Sequence, residues 1–159
     1  MTDNLWELIR SDLKANNVSK SGLMTLLYCY YFMPGFSLAF RYRLYHRLNK
    51  GGLLRRALAK ILWRRSISKF GCYIHPSANI GAAFRLPHPV GIVIAGNSKI
   101  GAGVTIYQHV TIGRYSENNP VVPVIGDNTI IYTAATIFGN VDVEPNSQIA
   151  AHSSVIKKP

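Results

Sequence analysis

The chain has 159 residues, of which 48% are hydrophobic and 16% are charged, and 18 Lys and Arg against 7 Asp and Glu give a formal net charge of +11. This length suits one domain with an extension and can bury a core, and the apolar content excludes a disordered basic tail. Two cysteines, Cys29 and Cys72, exclude a disulfide-rich scaffold and a cysteine-rich zinc module.

The positive charge is concentrated in the first half of the chain. Residues 1–73 contain 13 of the 18 Lys and Arg, whereas residues 74–159 are nearly neutral. A basic face is the usual footprint of a nucleic-acid-binding protein. The sequence shows no zinc spacing, helix-turn-helix signature or aromatic RNA-binding motif, however, so we expect no nucleic-acid partner.

Residues 1–72 are predicted to form a helical segment. The second of its three predicted helices follows Pro34-Gly35 and ends at Gly51-Gly52, and the third runs from Leu53 to about Phe70. The simplest interpretation of the basic residues is that they are solvated. The alternative is a basic amphipathic surface that faces anionic lipid or an acidic polymer. The first helix carries large apolar side chains at helical spacing, at Leu5, Trp6, Leu8, Ile9 and Leu13.

An uncharged stretch covers residues 21–40. Its length approaches that of a membrane span, but Pro34-Gly35 interrupts it, and Ser, Thr and Tyr dilute it. We therefore expect a buried or interfacial helix pair rather than a span. The first apolar segment is broken by acidic residues and lacks a basic leader, so we expect no secretory signal and a cytoplasmic protein.

Residues 73–159 carry a six-residue repeat. Isoleucine or valine recurs at every sixth residue from Ile125 to Val155, and isoleucine does so from Ile94 to Ile112. The fifth residue of each hexad is small, with Phe84 as the exception. One aliphatic and one small position in each hexad are typical of a parallel β-helix, in which three hexads form one coil. The spacing leaves the handedness of the coils open.

An interruption of the repeat predicts a protruding loop over residues 113–124. Ile112 and Ile125 lie 13 positions apart, where the repeat requires six. Loops that leave a rigid repeat usually serve binding or assembly. The same register stacks the hexads that begin at Leu86, Ile106, Ile131 and Ile149, and so places three histidines on one face: His88, His109 and His152.

Three long, collinear stretches of the sequence match one known family. They are GFSLAFRYRLYHRL followed by RRALAKILWRRSISKFGCYIHPSANIG (35–48 and 55–81), LPHPVGIVIAGNSKIGAGVTIYQHVTIG (86–113) and IFGNVDVEPNSQIAAHSSVI (137–156). The chain resembles the hexapeptide-repeat acyltransferases, specifically the serine acetyltransferase-like branch. The resemblance implies a mainly β fold, with a left-handed parallel β-helix domain at 73–159 after a short helical segment at 1–72. It also implies a homotrimer and acetyl-CoA as the acetyl donor, without a metal.

The resemblance also assigns roles to individual residues. His88 matches the family's catalytic histidine, which acts as a general base, and His109 in the adjacent coil is the second catalytic candidate. Structural roles are the alternative for both histidines, and ordinary coil packing is the alternative for the small residues that are expected to hold the donor. Those cofactor-binding candidates are Gly113, Thr133, Ala134 and Ala151.

Departures from the family pattern determine the expected substrate. True serine acetyltransferases carry an Asp two residues before the histidine of the IHP motif, and it orients the catalytic base. They also carry an Asp before the catalytic histidine, which helps to hold the serine amine, and an Arg-His pair before a loop proline, which reads the serine carboxylate. Those positions here hold Tyr73, Pro87, Val121 and Val122. Because an amino-acid acceptor needs partners for its ammonium and carboxylate groups, we predict O-acetylation of a sugar hydroxyl instead.

The expected setting is bacterial capsule, exopolysaccharide or lipopolysaccharide biosynthesis, with a sugar or polysaccharide as acceptor. The basic helices are expected to allow peripheral contact with anionic lipid at the inner face of the membrane. Two alternatives remain open. One is a serine O-acetyltransferase of cysteine biosynthesis, and the other is a non-catalytic β-helix scaffold.

Overall fold

The structure, a computed structural model, describes residues 4–20, 22–116 and 120–158. Four helices come first in the chain, one more than the sequence predicts. A proline at its first position favours the start of the third helix, and Gly71, with a left-handed φ of 62°, ends the fourth. Their bounds are α1 Leu5–Ala15, α2 Leu23–Phe32, α3 Pro34–Asn49 and α4 Leu53–Phe70.

Helix α2 is not buried within the protomer. Tyr31 is 76% exposed and Phe32 is 71% exposed, and α4 likewise exposes Leu53 and Leu54. No single helix in the described ranges meets the length and apolarity needed to cross a membrane. Helices α2 and α3 meet that test only as a pair, and the pair is bent by 110°.

The remaining chain winds into a three-sided parallel β-helix. The strand bounds are β1 Tyr73–Ile74, β2 Asn79–Ile80, β3 Val93–Ile94, β4 Lys99–Ile100, β5 Thr105–Ile106, β6 Thr111–Gly113, β7 Val124–Ile125, β8 Ile130–Ile131, β9 Thr136–Gly139, β10 Asp142–Val143, β11 Gln148–Ile149 and β12 Ser154–Lys157. Sheet A contains β1, β3, β6, β9 and β12, sheet B contains β2, β4, β7 and β10, and sheet C contains β5, β8 and β11. A bridge between Arg85 and Thr105 extends sheet C into the first coil.

The strand register confirms three hexads per coil. In sheet A, Ile74 pairs with Ile94, Ile94 pairs with Ile112, and Ile112 pairs with Ile137. These isoleucines are fully buried and form the centre of the core. The periodic aliphatic residues therefore fill the interior of the prism, as the repeat predicts.

Two fifth positions depart from the expected pattern. Val90 is 54% exposed, because the two extra residues before Ile94 place Ile92 in the buried position instead. Phe84 is buried in the first coil despite its size. The first coil is covered by helices, and its interior accommodates the larger ring.

A mainly β fold is too strong a description. The four helices contain 11, 10, 16 and 18 residues, whereas each strand contains only two to four. A triangular β-helix has short flat faces and a turn at every corner, so most of its residues lie outside strands. The chain combines a parallel β-helix with a substantial helical segment.

Helix α3 docks on the first coil through buried polar contacts. The hydroxyl of Tyr42 donates to the carbonyl of Ala78 at 2.7 Å, and that of Tyr45 donates to the carbonyl of Ile74 at 2.9 Å. At the start of α3, the lack of a side chain at Gly35 lets the helix approach the carbonyl of Leu86 closely. The helical segment thus supports the coil that carries His88.

Candidate active site

The stacked histidines lie at one corner of the β-helix. His88, His109 and His152 each belong to a turn from sheet C to sheet A, and we call this edge the C–A corner. The pairing of Ile106 with Ile131, and of Ile131 with Ile149, confirms the predicted stacking. All three histidine side chains are exposed, so the corner presents imidazole groups to solvent.

His88 is positioned by its backbone. Pro89 is buried, and the N–H of Val90 donates to the carbonyl of His88 at 2.8 Å. Among the described residues, the imidazole of His88 has no hydrogen bond or ion pair; its ring centre lies 6.2 Å from that of Tyr107. An accessible imidazole with a free nitrogen is suited to accept a proton from a substrate hydroxyl.

Two tyrosines that the sequence analysis did not select continue the row from His88. The rings of Tyr107 and Tyr132 stack with centres 5.4 Å apart, and the Tyr132 hydroxyl lies 3.3 Å from Oε1 of Gln148. A signal was available, because both tyrosines directly follow the first residue of a stacked hexad. The row gives the C–A corner an aromatic wall beside the histidine.

His109 packs against the turn that carries His88. Its N–H donates to the carbonyl of Val90 at 2.9 Å. Its ring occupies the space that a side chain at Gly91 would need. Gly91 has a φ of +65°. The structure therefore brings both predicted catalytic histidines to one short stretch of the corner.

Three of the four predicted cofactor-binding residues share this corner. Thr133 and Ala151 occupy the same hexad position as His88 in later coils, and Ala134 follows Thr133. The side-chain oxygens of Thr133 and Gln108 are buried and have no hydrogen-bond partner. Buried polar atoms without partners are rare, so this column is suited to donate to or accept from a bound molecule.

Gly113 does not lie at the C–A corner. It is the last residue of strand β6 and therefore lies at the opposite end of the strands of sheet A. A side chain at this position would collide with the ring of Phe138. The predicted loop leaves the coil there, at the edge we call the A–B corner. Arg114 and Tyr115 are exposed at its start, and residues 117–119 of the loop lie outside the described ranges.

The other two histidines are engaged in local structure. His75 contacts Ser77 through Nδ1 at 2.8 Å, and burial, together with the charge of Arg114, lowers its pKa. Tyr73, at the position where the family has an Asp, packs its ring 5.0 Å from that of Trp63. His46 Nδ1 lies 2.9 Å from the carbonyl of Pro76. Across residues 4–20, 22–116 and 120–158, no three His, Cys, Asp or Glu side chains group to hold a metal ion.

Comparisons with known proteins point to one group of enzymes, although no family model matches the chain. The chain is 35% identical over 158 residues to a plasmid-encoded serine acetyltransferase of Synechococcus elongatus, covering 91% of this chain and 48% of the relative. The crystal structure of Neisseria gonorrhoeae serine acetyltransferase superposes with a TM-score of 0.85 at 30% identity, covering 97% of this chain and 60% of that chain. Brucella abortus serine acetyltransferase in complex with coenzyme A gives a TM-score of 0.83 at 31% identity, covering 95% of this chain and 60% of that one.

These similarities support the hexapeptide-repeat acyltransferase family for this chain. The chain spans about half the length of the curated relatives it matches. The expected sugar or polysaccharide acceptor is wrong, because those relatives are serine acetyltransferases. The uncharged residues at positions 87, 121 and 122 offer no ionic partner to an amino acid, but a lack of charge does not create a sugar site. The relatives also lend no support to the expected membrane contact.

Proposed function

We propose that this chain transfers the acetyl group of acetyl-CoA to the hydroxyl of L-serine, in the cytoplasm. The observation that carries the proposal is the similarity to serine acetyltransferases over more than nine-tenths of the chain. The exposed, unpaired imidazole of His88 at the C–A corner supports it from the structure. This activity is the first of the two alternatives that the sequence analysis left open.

His88 acts as the general base in this proposal. Its free imidazole nitrogen takes the proton of the serine hydroxyl as that oxygen attacks the thioester carbon, and the C–S bond breaks. The same imidazolium then returns the proton to the departing thiolate, so no covalent enzyme intermediate is needed. The negative charge that develops on the thioester oxygen requires a hydrogen-bond donor, the role that we assign to a backbone N–H of the corner.

The donor is proposed to lie along the C–A corner against Thr133, Ala134 and Ala151. Their small side chains leave the backbone accessible, and the partnerless oxygens of Thr133 and Gln108 can bond to the amide groups of a pantetheine arm. His109, packed on the turn that carries His88, is proposed to contact the acceptor or donor. Gly113 lies at the other end of the strands of sheet A, so it can join this site only from a second copy of the chain.

That separation favours a homotrimer. Within one protomer, the C–A corner and the loop at the A–B corner lie at opposite ends of the strands of sheet A. In a trimer around a threefold axis, the loop of one protomer can reach the histidines of the next, which closed symmetry repeats three times. We further propose left-handed winding, and a division of the chain into a helical segment at 1–72 and an acetyltransferase domain at 73–159 with a loop over 113–124.

The decisive experiment measures thiol release from acetyl-CoA with L-serine as acceptor. We expect His88→Ala to lower kcat by about a hundred-fold to ten-thousand-fold, the usual contribution of a general base. His152→Ala, an exposed histidine three coils along the same corner, is the matched control and should keep its kcat at saturating acetyl-CoA. Equal activity of His88→Ala and the wild type would refute the mechanism, and no turnover of L-serine by the wild type would refute the substrate.

A high KM for L-serine is expected in the same assay. Pro87, Val121 and Val122 offer no charge to the ammonium and carboxylate of the substrate, so binding relies on weaker polar contacts. D-serine and L-threonine provide the comparison for stereochemistry and size. A KM for L-serine in the low micromolar range would show that ionic partners exist elsewhere in the site.

A further inference from the structure

A cavity lies between the helices and sheet B, away from the C–A corner. Its volume is about 670 Å³, within the range of small-molecule sites. One face of α1 and one face of α3 form its upper wall, and the first three strands of sheet B form its floor. His88, His109 and His152 occupy the C–A corner, so this cleft and the proposed active site are separate surfaces.

The cleft collects cations from two different elements. Arg47 lies in α3, Lys50 directly follows that helix, and Lys99 comes from β4 on the opposite wall. All three side chains are exposed and therefore accessible to a ligand. No Asp or Glu lines the cleft among the residues that the structure describes.

Among the residues that the structure describes, these cations have no counter-ion. Over the described ranges the structure contains one salt bridge, between Arg43 and Asp12. Arg43 also lines the cleft, but its guanidinium is already used by Asp12 and by the carbonyls of Ile80 and Gly81. The three remaining cations thus repel one another across the cleft, and an anion between them would relieve that repulsion.

Apart from His46 and Asn79, the side chains that complete the lining are apolar. Leu5 and Leu8 project from α1, and Val124 lies on the outer face of sheet B at 36% exposed. A group that is bound by the cations would therefore have hydrocarbon surface beside it. An inorganic ion would leave this surface in contact with water, whereas a ligand with an apolar portion would cover it.

We propose that this cleft binds a phosphorylated small molecule with an apolar portion. The phosphate lies between Lys99 on one wall and Arg47 and Lys50 on the other, where a compact dianion can meet several donors at once. The apolar portion lies against Leu5 and Leu8. Such a ligand would bridge the helical segment and the β-helix.

Phenyl phosphate and inorganic phosphate are suitable probes, titrated into the full chain by calorimetry at constant ionic strength. We expect saturable binding of phenyl phosphate, and weaker binding of inorganic phosphate because it lacks the ring. Lys50→Gln and Lys99→Gln should each raise the Kd by about ten-fold, the effect of one charge-assisted hydrogen bond. Lys60→Gln, which removes the same charge from the exposed surface of α4, should leave the Kd within about two-fold.

The control variant separates a site from general attraction to a basic protein. Equal Kd values for Lys50→Gln, Lys99→Gln and Lys60→Gln, or a signal that does not saturate, would overturn the proposal. Equal binding of the two probes would overturn its apolar part. Thermal unfolding of each variant without ligand checks that the helices remain docked, and the acetyl-transfer assay reports independently on the C–A corner.

Discussion

Removal of the Asp12 carboxylate should destabilise the protein more than most single substitutions. Asp12 in α1 binds the guanidinium of Arg43 in α3 through two hydrogen bonds of 3.0 Å. It also accepts the N–H of Phe84 at 2.9 Å. Both charged side chains are at most 2% exposed. The pair therefore joins two helices to the segment of the first coil that leads to His88.

The expected size of the effect follows from these contacts. Asp12→Ala leaves the buried Arg43 cation without a counter-ion, which typically costs about 3–5 kcal/mol. It also leaves the Phe84 N–H without an acceptor, at about 1–3 kcal/mol. Burial raises the pKa of Asp12, and the Arg43 interactions oppose that shift, so the carboxylate itself is held at some cost. Since these terms overlap, we expect a total loss of about 3–5 kcal/mol.

Urea unfolding of the single and double variants measures this loss. In a double-mutant cycle with Arg43→Met, the coupling energy should reach about 2 kcal/mol, because the double variant leaves no unpaired charge. Glu7→Ala, an exposed acidic residue of the same helix, is the control and should change stability by less than about 0.5 kcal/mol. A loss below about 1 kcal/mol for Asp12→Ala, or additive single effects, would refute the reasoning.

Two further predictions test the corner and the helical segment. Gly91→Ala should lower stability by about 1–2 kcal/mol because of its left-handed backbone, and should lower kcat because the new methyl group displaces His109. Gly103→Ala, with a φ of +70°, is the control and should keep its activity; equal kcat values would contradict the role of His109. Burial lowers the pKa of His46, with Lys50 and Arg43 adding repulsion, so the unfolded chain binds this proton more readily. Stability should therefore fall as the pH drops below about 6.5. Urea unfolding at about pH 7.5 and 5.5 measures this loss, and His46→Gln should reduce it. The loss should not vanish in that variant, because the pKa of His75 is lowered too.

The site is predictable to the extent that it follows the repeat. A hexad has a fixed place in its coil, so the register alone places His88, His109 and Thr133 at one corner. The same register carries Tyr107 and Tyr132, but a tyrosine in a hexad has no distinctive spacing of its own. Gly113 is assigned by resemblance alone, and its separation from the corner depends on which edge of sheet A each turn occupies.

The predicted sugar acceptor is wrong because the absence of charged residues does not by itself identify an acceptor. Uncharged residues at four positions show which ionic contacts are missing, but not which acceptor binds.

The sequence predicts helix α2 only as half of a helix pair, because its nearly continuous apolar stretch has little helical periodicity. Its exposed aromatic face cannot be distinguished from a buried one for the same reason.

The sequence by itself determined the coils, their register and the column of histidines, because each depends on residues at most one coil apart. Only the tertiary structure decided the features formed by distant segments. The Asp12–Arg43 pair joins residues 31 positions apart, and the Phe84 contact spans 72. The cationic cleft needs α1, α3 and sheet B together. No local period specifies such contacts, because they depend on how the helices dock against the prism once both have formed.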